Sequence, residues 1–278
     1  MVHKGFEYIE NGNVGYYVIP SFVERGLVRH CFTTRIGGVS SDECHSLNLG
    51  LKRKDSKENV FENFRRVCRC IGVDPQSLVF SDQVHCDRIH TVTHEDKGKG
   101  LYRESDIHGK DGLITNQHDI PLVTFYADCV PLFFLDPIHK AIGTSHAGWR
   151  GTVKKIAVKT LKEMGKKFGT RPEECLVAIG PSIGPCCFEV DTPVKDIFVE
   201  AFNNHTFISK HESGKYHIDL WMANVIQLME AGVLAHHITV AGLCTCCHPD
   251  IFFSHRRDKG RTGSLSAIIQ LVNTPTNS

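Results

Sequence analysis

The stretch from residue 122 to residue 169 constrains the fold most tightly. Three apolar runs of strand length, residues 122–126, 132–135 and 141–145, follow one another, and the period then changes over residues 152–168. There Val153, Ile156, Ala157, Leu161, Met164 and Phe168 recur at helical spacing, and Gly169 supplies the stop. Strands of this kind interleaved with amphipathic helices predict an α/β domain built on mixed sheets.

The same alternation runs through the rest of the chain. Residues 14–19 and 28–34 read as strands, and the Gly37-Gly38 pair breaks the pattern after them. Residues 55–71 read as a helix in which Asp55 and Glu58 have capping-box spacing and Gly72 suits the C-terminal stop. Short strands at 78–80 and 88–92 flank His85, and a polar loop follows over 94–108. Residues 176–179 form a strand leading into the turn-rich segment 180–185. Helices are expected over 194–202 and 220–231, and strands over 238–243 and 265–272. With no low-complexity linker and no repeat, residues 1–278 read as a single domain of layered mixed β-sheets flanked by helices, frayed at 1–12 and 273–278.

Composition excludes some functions. A net charge of +1 gives no footprint for nucleic acid or an anionic membrane. Residues 1–12 include Lys4, Glu7 and Glu10 and no apolar secretory core, and no apolar run approaches the roughly 18 residues of a membrane span. A cytoplasmic protein is therefore expected, and its twelve cysteines read as reduced thiols rather than disulfides. Cys31, Cys68 and Cys70 lie within strand or helix patterns and read as small hydrophobes.

Chemistry concentrates in three segments. His85 lies in a turn, Cys129 between two apolar strands, and His146 between a strand and a helix start. Two imidazoles and a thiolate suit zinc, and a three-ligand set leaves the fourth position open, as catalytic zinc sites do. Each residue also has a plainer reading: a solvated His85, an inert buried Cys129, a His146 satisfied within a tight turn. Asp128 is the candidate to orient a ligand histidine through its other ring nitrogen, or else to cap a turn. Gly148, Gly151 and Arg150 beside His146 suggest an anion pocket at a helix start. Arg35 and Arg256 stand near other glycine turns and suit phosphate or carboxylate. A rival metal site is offered by Cys244, Cys246, Cys247 and His248, with Cys186-Cys187 able to complete it.

Several motifs appear in order: Thr33-Thr34-Arg35-x-Gly37-Gly38, Ser46-Leu47-Asn48-Leu49-Gly50, Gln83-Val84-His85, Asp111-Gly112, Ala127-Asp128-Cys129-Val130-Pro131, His146-Ala147-Gly148-Trp149-Arg150-Gly151-Thr152, residues 180–188 and Ser254-His255-Arg256-Arg257-Asp258. Together they resemble the laccase-domain, or polyphenol-oxidase-type, family over nearly the whole chain. Its members are described as purine nucleoside phosphorylases, and some bacterial ones as peptidoglycan-editing factors. The resemblance implies a layered α/β fold similar to cysteine-hydrolase-like deamidase toxins. It also implies a zinc ion, with copper as the alternative, on His85, Cys129 and His146.

The implied reactions are phosphorolysis of adenosine, inosine, guanosine and methylthioadenosine, and deamination of adenosine. Expected partners are therefore purine nucleosides and phosphate, with His85, Cys129, His146 and Asp128 at the chemistry. Arg35, Asn48, Gln83, Arg150 and Arg256 are the expected substrate or phosphate contacts. Asp128, Glu189 and His255 are the candidate acids for the departing base. Two other activities compete. A copper phenol oxidase is one, although no His-x-His pair is present. The other is a cysteine hydrolase acting on peptidoglycan precursors, with Cys129 as nucleophile.

Overall fold

Alternate residues of the strand Val130–Asp136 point into two different cores, which explains why the run is apolar throughout rather than alternating. Phe133 and Leu135 join one buried cluster, and Val130, Leu132 and Phe134 join another. The computed structural model describes residues 3–212 and 214–273.

The strand lies in a seven-stranded sheet. Its spatial order is His3–Lys4, Ile238–Val240, Leu176–Ile179, Val130–Asp136, Ala141–Ala147, Gly112–Thr115, Ile89–Thr91. The central hairpin is antiparallel, whereas Leu176–Ile179 with Ile238–Val240, and Ile89–Thr91 with Gly112–Thr115, pair in parallel. A six-stranded sheet runs Glu7–Asn11, Val14–Val18, Val28–Thr33, Leu265–Leu271, Leu122–Tyr126, Val79–Phe80. Its Phe32, Leu122, Leu265, Ala267 and Ile269 meet Leu113, Phe133, Leu135 and Ile142 of the larger sheet in one core.

Helices cover the outer faces. Val60, Phe64, Val67 and Cys68 of the helix Lys57–Ile71 pack on Cys31, Val123 and Ile268 of the six-stranded sheet. Ile156, Ala157, Leu161 and Met164, with Leu220, Ala223 and Leu228, cover the other face of the seven-stranded sheet. The result is the expected mixed α/β domain, in four layers. A third sheet, Glu189–Val190, Tyr216–Ile218 and Ile208–Lys210, stands apart from the two large ones.

Three local expectations are corrected. Residues 3–11 are not frayed: Glu7–Asn11 pairs antiparallel with Val14–Val18, and His3–Lys4 pairs with Ile238–Val240. Glu7–Asn11 is an edge strand that is largely exposed, so it needs no apolar pattern. Of the expected frayed C-terminus, residues 274–278 lie outside the described residues. The helix at 57 is capped by Ser56, whose hydroxyl accepts from the Asn59 N–H at 3.1 Å. Asp55 instead accepts from Ser40, Asn48 and Asn59. The helix expected over 152–168 is two, Trp149–Val153 and Ile156–Phe168, separated by Lys155 at φ 59°. Both pieces add to one apolar cluster, so the sequence period runs through the break.

All twelve cysteines are unpaired among the described residues, with Cys31 and Cys68 buried and Cys70 half-buried. Among the described residues, no helix is long and apolar enough to cross a membrane.

Candidate metal centre

Strand register brings the three segments together. Val130 pairs with Ala147, so Cys129 emerges beside His146. Gly112 pairs with Ser145, which sets Asp111 beside His146 from the opposite side. Ile89 pairs in parallel with Gly112, so the loop preceding it, with His85, arrives at the same sheet end. One ligand atom from each of His85, Cys129 and His146 lies within 4.8 Å of the others. The two imidazole rings are 4.8 Å apart at 65°.

A buried carboxylate that the sequence reading did not assign to this role organises the set. Asp111 is 0% exposed and accepts the backbone N–H groups of Val84 (2.9 Å), His85 (3.1 Å) and Cys86 (3.0 Å). It also accepts Nδ1–H of His146 at 2.7 Å. One side chain therefore fixes the loop that holds His85 at φ 58° and orients the His146 ring, leaving Nε2 for an ion. Burial alone would raise the Asp111 pKa, but the His146 ring and the backbone N–H groups hold it down at about 2.

The electrostatics suit deprotonated sulfur. Burial pushes the Cys129 thiol up, and the charge and hydrogen bonds of His146 and His85 more than reverse this, leaving it below its ordinary value. Burial pushes His146 down, and the Cys129 thiolate and Asp111 carry it above its ordinary value. Thiolate and imidazolium thus hold one another in the absence of an ion, and a cation is the natural replacement for the proton. Room is kept by Gly148, where a Cβ would stand 2.9 Å from His85 Nδ1 and 3.1 Å from Cys129 Sγ. The donor set and this space fit a zinc-class ion.

The set opens onto a cleft of about 630 Å³. Phe80, Phe125, Trp149 and Phe188 give it apolar walls, and Lys52, Arg53, His108, His255 and Arg256 give it a basic lining. A concave cleft with apolar walls and a few charged groups is the usual form of a small-ligand site.

The structure separates the other expected residues. Asp128 does not orient a histidine. Its carboxylate accepts from the Thr245 hydroxyl and from the Arg256 backbone N–H, both at 2.6 Å, and its carbonyl accepts from Ile183 N–H at 2.8 Å. It pins three segments around Cys129, at φ 84°. Arg35 lies outside the cleft lining: Nε and Nη2 donate to the His45 carbonyl at 2.8 and 2.6 Å, Nη1 to that of Pro249 at 2.9 Å, and the group stacks on Phe253. It braces loops. Asn48 is buried, with Oδ1 accepting from Gly50 and Ser264 N–H at 2.9 Å, so it shapes the turn before Arg53. Arg150 is exposed and stacks on the ring of Trp149, a cleft wall, but is not itself a lining residue. Gln83 lines the cleft, but its amide is engaged with the Phe125 backbone at 2.7 and 2.8 Å.

Arg256 stays in the cleft, its Nη1 donating to the Cys187 carbonyl at 2.8 Å. Of the candidate acids, Glu189 pairs with Lys215 at 2.9 Å, whereas His255 is exposed at the cleft. Sequence reasoning missed Arg53, which lines the cleft with Nε on the Ser264 hydroxyl at 2.8 Å. The basic run Lys52-Arg53-Lys54 just after Gly50 was the available signal.

The chain is similar to known proteins over most of its length. A purine nucleoside phosphorylase of Bacillus subtilis, YlmD, is 40% identical over 241 residues, covering 86% of each chain. The crystal structure of YlmD from Geobacillus stearothermophilus superposes with a TM-score of 0.89 at 34% identity, covering 96% of this chain and 99% of that one. A Bacillus licheniformis protein called hypothetical protein YfiH gives 0.89 at 35% identity, covering 95% and 98%. The model of the multi-copper polyphenol oxidoreductase laccase family matches residues 29–272, and the chain belongs to that family.

Proposed function

We propose that this protein is a purine nucleoside phosphorylase that also deaminates adenosine, with zinc on His85, Cys129 and His146. The carrying observation is the His/Cys/His set, oriented by Asp111, on a cleft with aromatic walls and a basic lining. The relatives named purine nucleoside phosphorylase support the phosphorylase part of this reading. Adenosine, inosine, guanosine and methylthioadenosine are the proposed substrates, and phosphate the second one.

A zinc ion, when bound, supplies Lewis acidity at the reacting centre. The chain's own residues do the rest. Phe125, Phe188 and Trp149 offer flat apolar surface to a purine. Arg53 and Arg256 hold phosphate for attack on ribose C1′, forming the O–C1′ bond as the C1′–N9 bond breaks, whereas Lys52 is paired with Asp82 at 2.7 Å. The departing base takes a proton, and His255 is its proposed donor, since both Asp128 oxygens already accept hydrogen bonds and Glu189 is paired with Lys215.

Product analysis with adenosine is the test. Adenine and ribose 1-phosphate should form only with phosphate present, and inosine should form without it. A preparation that releases none of these, while oxidising phenols with copper bound, would replace this reading with the oxidase.

A further inference from the structure

Four thiols meet outside the cleft. Cys186 and Cys187 lie in the loop after Leu176–Ile179, and Cys244 and Cys247 in the loop after Ile238–Val240. Those two strands are parallel neighbours, so both loops leave the same sheet end. Hydrogen bonds carry the pairing onward, from Ser182 N–H to the Leu243 carbonyl at 3.2 Å and from Thr245 N–H to the Ser182 carbonyl at 3.0 Å. The two cysteine pairs are thereby set face to face.

All four sulfurs lie within 4.8 Å of one another. Cys247 Sγ is 3.5 Å from that of Cys186 and 3.4 Å from that of Cys187, well beyond a disulfide bond of about 2.05 Å. Around a tetrahedral ion with metal–sulfur bonds of about 2.3 Å, sulfurs stand about 3.8 Å apart. Small side-chain shifts would close that shell. Cys244 and Cys247 have the C-x-x-C spacing that chelates one ion. Cys244 Sγ already accepts the Gly184 N–H at 3.2 Å, a bond that stabilises a thiolate.

We propose that Cys186, Cys187, Cys244 and Cys247 hold a second divalent ion of the zinc class, in a closed tetrathiolate shell. Four protein ligands leave no open position, so the site is structural. This inference does not depend on the phosphorylase reading. Its consequence is a clamp on one cleft wall. The clamped loops carry Ile183 and Phe188, which line the cleft, and Thr245, which holds Asp128. The Cys187 carbonyl holds Arg256, and the Thr245 carbonyl accepts from Arg257 at 3.0 Å.

The experiment uses the full chain, purified without chelator from zinc-supplemented cells. Elemental analysis should find two metal equivalents per chain in the wild type, and one each in Cys129→Ser and Cys247→Ser. After cobalt substitution, Cys129→Ser should keep the intense sulfur-to-cobalt absorption, whereas Cys247→Ser should lose most of it. Cys246→Ser is the neighbouring control and should keep both ions. If Cys247→Ser does not fold, the cobalt spectra of the wild type and Cys129→Ser still decide. A single equivalent in the wild type that Cys129→Ser abolishes would overturn the proposal. So would an intact mass showing a disulfide among the four cysteines.

Discussion

Among the described residues, two clusters of metal-ligand side chains contain cysteine, and they differ in almost every physical respect. The first mixes two imidazoles with one thiol, faces a cleft of about 630 Å³, and rests on a fully buried carboxylate. The second is four thiols in two loops, with Cys186 and Cys247 exposed and none of the four on the cleft lining. Number of ligands and direction of opening separate the two tasks. Three oriented ligands beside a cavity leave room for a substrate, whereas four ligands close the shell and leave only a staple. A family label built on copper oxidation does not by itself distinguish them; the donor atoms and the cavity do.

The contrast can be broken most sharply by removing metal in steps. A chelator titration should abolish phosphorolysis first, because the open shell exchanges its ion more readily, and should lower the thermal midpoint only later. Simultaneous loss of activity and stability at the lowest chelator concentrations would erase the distinction.

Asp111→Asn comes next. An amide keeps the shape but removes the charge that three N–H groups and His146 share. Metal affinity at the first cluster should fall about 10–100-fold, as when an orienting partner is lost, with the four-thiol cluster unaffected. Competition with a metal-binding dye measures both. Gly148→Ala is a narrower intrusion, since its φ of −58° tolerates a side chain while the new Cβ would crowd His85 and Cys129. It should weaken the first site at least about tenfold without unfolding the chain; unchanged affinity would show that the space is not used.

The smallest effects compare two arginines. Arg256→Ala should raise KM for phosphate about tenfold, the scale of one charged hydrogen bond, with less change in kcat. Arg35→Ala should leave that KM alone and instead lower stability by about 0.5–1.5 kcal/mol, because carbonyls of His45 and Pro249 exchange their donors for water. Steady-state kinetics and urea unfolding separate these outcomes. A phosphate KM that responds to Arg35 and not to Arg256 would reverse the assignment.

Legibility in the sequence followed the same divide between local pattern and long-range contact. The apolar strands expected at 122–126 and 132–135 and the helix stopped by Gly72 are written in periodicity and turn residues; the first strand appears as expected, the second is longer, Val130–Asp136, and the helix is Lys57–Ile71. His85, Cys129 and His146 could be singled out because each interrupts a strand-and-turn pattern with a ligand atom. Asp111 could not be matched to its task, because its partners at 84–86 lie 25 to 27 residues upstream and are backbone N–H groups of no particular residue type. Asp128 drew that role by proximity to Cys129, yet strand geometry aims it at Thr245 and Arg256. The four-thiol cluster was legible in part: Cys244 and Cys247 with Cys186-Cys187 stood among the residues of the rival metal site, but Cys246 and His248 fall outside the four, because which side chains meet is set by two parallel neighbouring strands about 60 residues apart.

The central claim is that His85, Cys129 and His146 hold the ion that phosphorolysis requires. Zinc titrated into metal-depleted protein, with phosphate-dependent adenine release followed throughout, tests it directly. Activity should rise in proportion to zinc bound at this cluster in the wild type and stay at background for Cys129→Ala at every concentration. A Cys129→Ala protein that regains wild-type activity, or a wild type whose activity ignores zinc, would contradict the account.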